Sequence, residues 1–266
     1  MRRGGGRKAG GDSRDRAVSE TISFVLVFAL VVASVGTVYA LGVSELESTR
    51  DAERVENAQR AFDVLADNLG DLLEGAPSRG TEVKLVDATL RSTDGVAVNV
   101  TVDPAIGPAE SWSYATAALV YDVETGGEIR FANGAVLRDS ERGGAAVVRG
   151  PPLVVADDRV LLRLIKQEHV GTPAVGGSDT VRIRMLADRP RVFYDNESAS
   201  YDMVRVNVTT PYTDAWARHY ESRGFACDEV AAPTPDASGR ISCTVSDVGD
   251  VERVTVVWTR VTTAFE

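Results

Sequence analysis

Residues Ile22 to Val43 read ISFVLVFALVVASVGTVYALGV, twenty-two positions without a charged side chain. As an α-helix the run would rise about 33 Å, enough for a hydrocarbon core about 30 Å thick. A globular helix of that length carries a polar stripe, and this run has none, so it is predicted to cross a membrane. Arg2, Arg3, Arg7, Lys8, Arg14 and Arg16 precede it; Glu45, Glu47, Asp51 and Glu53 follow. Basic flanks stay cytoplasmic, so the N-terminus is expected inside and the body outside the cell. A secretory signal peptide has a shorter apolar stretch, about 7 to 15 residues, and a small-x-small cleavage site. Val38-Tyr39-Ala40 matches that site poorly, and Arg2-Arg3 stands too far from the run for a twin-arginine signal.

The first sixteen residues carry a net +4 in a chain of formal charge −10, which leaves −14 on the other 250. A body that acidic repels phosphate, and no nucleic-acid partner is expected. Lysine occurs only as Lys8, Lys84 and Lys166. An acidic, Lys-poor chain rich in Ala, Val and Asp suits high salt, where screening suppresses carboxylate repulsion. A GC-rich genome also enriches Ala, Val, Gly and Arg.

Beyond the apolar run, Val55, Ala58, Phe62, Leu65, Leu69 and Leu72 recur at alternating spacings of three and four, the seam of an amphipathic helix. Ser44 to Arg54 is polar on all faces, and Gly75, Pro77 and Gly80 stop the helix. The seam is expected to pack on the chain's own β domain rather than on another subunit. From Thr81 the period becomes two: Val96, Val98, Val100 and Val102; Val181, Ile183 and Met185; Val204, Val206 and Val208; Val254, Val256 and Trp258. Gly126-Gly127 marks a hairpin turn and Asp157-Asp158 a turn between strands. Tyr212 to Arg223 reads as a short helix with Trp216 and Tyr220 on one face and Gly224 as its stop. The fold class is α+β: a long N-terminal hydrophobic helix followed by a mostly antiparallel, sandwich-like β domain with one short amphipathic helix. The organisation is a basic leader over 1–17, a helix over 18–75 (transmembrane 22–43, amphipathic 44–74) and a β-rich head over 80–266. The segments VAVNVT (from Val96) and VRVNVT (from Val204) share the pattern VxVNVT, a weak hint of duplication.

Cys227 and Cys243 lie in no CxxC pair and no His/Cys cluster, which disfavours zinc. In an external body they would close a disulfide; in a reducing compartment they would be two small hydrophobes. Nucleotide-binding glycine motifs, GxSxG and HExxH are absent. His169 and His219 stand alone and read as surface or packing residues, and Asp157-Asp158 lacks the spaced oxygens of a calcium loop. Trp112, Trp216 and Trp258 read as β-domain core. No catalytic, cofactor or metal site is expected, and the chain is not expected to be an enzyme.

Arg14 to Ile22 reads RDRAVSETI and leads directly into the apolar run. Here the chain resembles an archaeal type IV pilin precursor, whose short charged leader is cut before the hydrophobic helix. Arg16 and Ala17 match the basic and small positions, and the resemblance implies a prepilin-type peptidase cut between Ala17 and Val18. Glu20 stands where haloarchaeal pilins usually have Pro. In pilins a carboxylate near this point is thought to pair with a neighbouring subunit's N-terminal amine. Glu20 could equally be an interfacial residue favoured by the helix dipole. The segment NAQRAFDVLADN (from Asn57) is similar to a helix in an uncharacterised haloarchaeal pilin-like group. The resemblance implies membrane lipid and other pilin-like subunits as partners.

Three N-glycosylation sequons, at Asn99, Asn196 and Asn207, use half of the six asparagines, all in the proposed external body. The sequence thus reads as a pilin-like or minor pilin-like surface subunit. The alternative is a permanently anchored single-pass module that binds a ligand and never polymerises.

Overall fold

The computed structural model describes residues 12–123, 127–140, 144–197, 200–230, 238–246 and 248–266; the side chains of 12–21, 41–52 and 229–230 lie outside that description. The chain forms two compact units, Met1–Arg50 and Asp51–Glu266. The helix α1 (Asp12–Leu73) contributes to both.

In the first unit, Ile22–Ala40 is long and apolar enough to cross a membrane, and none of it is buried. Phe24, Leu30 and Val38 are about 70% exposed (71%, 67% and 72%). Two of its hydroxyls need no water: Ser34 Oγ donates to the Val31 carbonyl and Thr37 Oγ1 to that of Ala33, each at 2.9 Å. Bonding back into the helix backbone is how Ser and Thr are accommodated where no solvent can satisfy them.

The larger unit continues through β1 (Ser78–Lys84), β2 (Ala88–Pro104), β3 (Glu110–Val123), β4 (Gly127–Ala132), β5 (Ala135–Ser140), β6 (Gly144–Arg149), β7 (Leu153–Ala156) and β8 (Arg159–His169). It is completed by β9 (Ala174–Gly177), β10 (Thr180–Ala187), β11 (Arg191–Glu197), β12 (Tyr201–Thr210), α2 (Thr213–Glu221), β13 (Phe225–Val230), β14 (Gly239–Val245) and β15 (Arg253–Phe265). The sheets run β1-β10-β15-β8-β7, with β11 also on β15, and β13-β14-β12-β2-β3-β4-β5-β6, with β9 on β2. Only β8 and β15 pair in parallel among the described strands. The fold is α+β with mostly antiparallel sheets, as the pattern predicts.

Two cores hold the unit together. One lies between the sheets, where Val98, Val100, Val204 and Val206 meet Leu162, Leu164, Val254 and Val256. The other is built on α1: Val55, Ala58, Phe62, Leu65, Leu69 and Leu72 are all at most 3% exposed and pack with Leu119, Tyr121, Ile129, Phe131 and Ile183. The seam therefore packs on the chain's own strands. Polar contacts fix its register: Asn68 Nδ2 donates to Thr81 Oγ1 at 2.8 Å and Arg138 to Gln59 Oε1 at 3.1 Å, and Arg149 pairs with Asp67. β3 serves both cores, Ala118 and Val120 in one and Leu119 and Tyr121 in the other. That double burial is why its sequence is a continuous apolar run rather than an alternation.

The local punctuation follows the sequence. α1 ends at Leu73, with Gly75 at φ 110°. Asp157-Asp158 is the turn between β7 and β8, and Gly224, at φ 85°, follows α2. Trp216 and Tyr220 are each 2% exposed, their ring centroids 6.0 Å apart. A turn that the pattern reading missed joins β4 to β5. Asn133 and Gly134 have φ of 52° and 76°, the positive-φ pair of a tight hairpin that an Asn-Gly dipeptide signals.

Candidate functional site

The face of the nine-stranded sheet that carries Leu119 and Tyr121 under α1 changes character along β3. Successive residues alternate faces, so the same side displays Ala115, Ser113 and Ser111 farther along, where the strand is open to solvent. A register shift between Asp94 and Ala97 of β2 keeps the neighbouring strand in step. It puts Ala97, Asn99 and Thr101 beside Ala115, Ser113 and Ser111. A side chain at Gly95 would press on the Thr116 carbonyl, 2.5 Å from its Cβ, so only glycine fits this irregularity. Across β12 and β14 the row continues: Asn99 faces Asn207, Asn207 faces Ser242, and Asp228 closes it on β13.

Short hydroxyl and amide side chains line this face. Asn99 Nδ2 donates to Ser111 Oγ and Ser113 Oγ, both at 2.8 Å, and Asn207 Nδ2 donates to Asn99 Oδ1 at 3.1 Å. Thr101 Oγ1 donates to the same Asn99 oxygen at 3.4 Å. Because Ala97 and Ala115 stop at Cβ, the surface between them sinks into a hollow of about 450 Å³, bordered by Asn99, Ser113, Asn207, Thr209 and Arg240. Among the described residues, Arg240 and Thr209 make no side-chain hydrogen bond or ion pair, and Asn207 Oδ1 accepts none. Arg205, in the next row, donates only to Thr244 Oγ1, at 3.3 Å.

A model of a family of unknown function matches residues 16–264. The chain belongs to that family, DUF7289. No curated protein matches the sequence. The DUF7289 match begins at Arg16 and runs into β15, so the apolar helix and both sheets belong to one family architecture.

The residues singled out in sequence fall in separate places. Ala17, Val18 and Glu20 lie on α1, with side chains outside the described residues. Cys227 and Cys243 are disulfide-bonded, directly opposite each other on β13 and β14 with Cα atoms 4.1 Å apart. Asn99 and Asn207 share the polar face, whereas Asn196 is exposed on β11, where its Nδ2 donates to the Tyr194 hydroxyl at 3.3 Å. The histidines are packing residues. His169 rests on Phe265, centroids 4.3 Å apart, and His219 lies against the Gly150 backbone. Of the tryptophans only Trp216 is fully core; Trp112 and Trp258 are half-buried and seal its margin through Phe193, stacked at 6.2 and 5.7 Å.

Alanines at 97 and 115 beside Asn, Ser and Thr are the signal for the hollow, but only the pairing of β2 with β3 and β12 brings them together. A second polar cluster is structural. Glu128 accepts from Arg130 and from the Tyr212 hydroxyl. Burial pushes its carboxyl up, but those hydrogen bonds and the charges of Arg130 and Arg91 outweigh burial and hold it below the usual range.

Proposed function

We propose that this chain is a membrane-anchored cell-surface subunit of pilin-like type, with its N-terminus cytoplasmic and its β-rich unit outside. The observation that carries the reading is the division of labour along α1. The seam from Val55 to Leu72 is consumed by the chain's own core, whereas Ile22–Ala40 is apolar and wholly uncovered. Uncovered apolar surface on that scale requires lipid or like helices. In the precursor the segment sits in lipid; after a cut between Ala17 and Val18 it is free to pack with equivalent helices. Removing the leader removes its six basic residues, the charges that oppose withdrawal from the membrane. The disulfide supports an oxidising location for the larger unit.

Mass spectrometry of the mature N-terminus tests this directly. A start at Val18 is expected, with Arg16→Ala slowing the cut. A start near Leu41 would refute membrane anchoring altogether. Protease added to intact cells should remove the larger unit, and full protection would overturn the orientation.

The polar hollow favours a second reading, a permanently anchored binding module. An intact leader in the mature protein would select it.

A further inference from the structure

We infer that the hollow between Ala97 and Ala115 binds a carboxylate-bearing sugar unit, such as a uronate residue of an acidic polysaccharide. The inference goes beyond the anchoring proposal and holds whether or not the helices assemble.

The groups around the hollow specify the ligand. Arg240 supplies a guanidinium with no carboxylate partner among the described residues, in a chain whose formal charge is −10. A lone cation there repels cations and attracts a carboxylate, which a guanidinium can hold through two parallel hydrogen bonds. The rest of the rim mixes donors and acceptors. Ser113 Oγ accepts from Asn99, which leaves its own O–H free to donate outward. Thr209 offers a hydroxyl, and Asn207 offers its Oδ1 and its second N–H. Sugar hydroxyls both donate and accept, so they match such a rim, whereas phosphate or sulfate would leave the Asn207 oxygen unpaired. The floor is apolar at two methyl groups, Ala97 and Ala115, which offer a surface for the C–H face of a pyranose ring. The volume, about 450 Å³, falls in the usual range of ligand clefts, roughly 300–1,000 Å³. The rim is also held in place before any ligand arrives. Asn99 is fixed by Ser111, Ser113, Thr101 and Asn207 together, so little side-chain freedom is lost on binding.

The test uses the full-length protein in detergent micelles, titrated by calorimetry with tetragalacturonate, with maltotetraose and with a short polyphosphate. Saturable binding of tetragalacturonate is expected, about tenfold or more tighter than either control. Arg240→Glu, at an exposed position, should weaken it by at least about tenfold, and Ala115→Leu should do the same by filling the floor. Arg60→Glu makes the same charge change on α1 and should leave the affinity unchanged. Absence of saturable binding would overturn the inference. So would equal affinity for maltotetraose or polyphosphate, or an equal loss in Arg60→Glu. None of these readouts depends on leader cleavage or topology, so this inference and the anchoring proposal fail independently.

Discussion

Asn207 lies directly opposite Asn99, and the two VxVNVT segments run antiparallel about that pair, Val206 facing Val100 and Val208 facing Val98. The two copies are thus related by a local two-fold axis, with their valines buried on one side and the asparagine pair on the other. A double-mutant cycle with Asn99→Ala and Asn207→Ala, followed by urea unfolding, should give a coupling of about 0.5–1 kcal/mol. Strict additivity would show that the asparagines do not support each other.

The disulfide joins two adjacent strands and closes a loop with a sequence separation of 16. Replacing both cysteines with serine should lower stability by roughly 3 kcal/mol. Thermal melts with and without reductant check this: reductant should lower the melting temperature of the native protein and leave the double variant unchanged.

The seam on α1 separates packing from exposure within a few residues. Phe62 and Leu65 are 0% exposed, whereas Val64 between them is 49% exposed. Phe62→Ala should cost about 3–5 kcal/mol and Leu65→Ala about 2–5 kcal/mol, against about 0.5 kcal/mol or less for Val64→Ala. Similar costs at all three positions in denaturant unfolding would mean that the seam is not buried.

His219 and Glu128 contribute to the acid response in different pH ranges. Burial, helped by the charge of Arg223, holds the His219 imidazole below its ordinary 6.5. Above 6.5 both folded and unfolded chains leave it neutral and its contribution is complete. Below that value the unfolded chain takes up the proton first, so stability declines as pH falls toward the folded pKa. Glu128 is also held low, from an ordinary 4.5, so its contribution is present above 4.5 and lost as pH falls below it. Melting temperatures should therefore fall in two stages on acidification. His219→Gln should remove the stage near neutral pH, and Glu128→Gln should shrink only the lower one, to which Glu168 and Asp195, held low by Lys166 and Arg253, also contribute.

Gln167 is 1% exposed, and neither atom of its side-chain amide has a hydrogen-bond partner, although its backbone N–H donates to Thr116 Oγ1 at 2.8 Å. A buried amide without partners opposes folding. Gln167→Met, close to it in volume, should stabilise the unit by about 1–2 kcal/mol, measured as a higher denaturant midpoint at unchanged slope.

Most of the local architecture was legible in sequence because it rests on short-range periodicity. The three-four spacing from Val55 to Leu72 named the buried face of α1, and the alternation from Val204 to Val208 named the core face of β12. Gly224 and Asp157-Asp158 marked real boundaries. The unread features depend on partners distant in sequence. Nothing near Arg159 or Arg253 distinguishes the parallel pairing of β8 with β15 from an antiparallel one. The repeat at Val96 and Val204 was visible, yet that its copies are neighbours follows only from the topology. Trp112 and Trp258 carry a core composition, but they sit where the sheets end, and no local pattern records where a sheet ends.

The position of β15 has a consequence for the order of biogenesis. Last in chain order among the described strands, it stands inside the six-stranded sheet and pairs with β8, β10 and β11. Until Arg253–Phe265 has been synthesised, those strands have no common neighbour and the sheet has no centre. Completion of the six-stranded sheet therefore waits until β15 has been synthesised, whereas the nine-stranded sheet does not contain that strand. β8, β10 and β11, spread over Arg159–Glu197, thus wait more than fifty residues for the strand that joins them, and this sheet closes from its middle rather than from an edge.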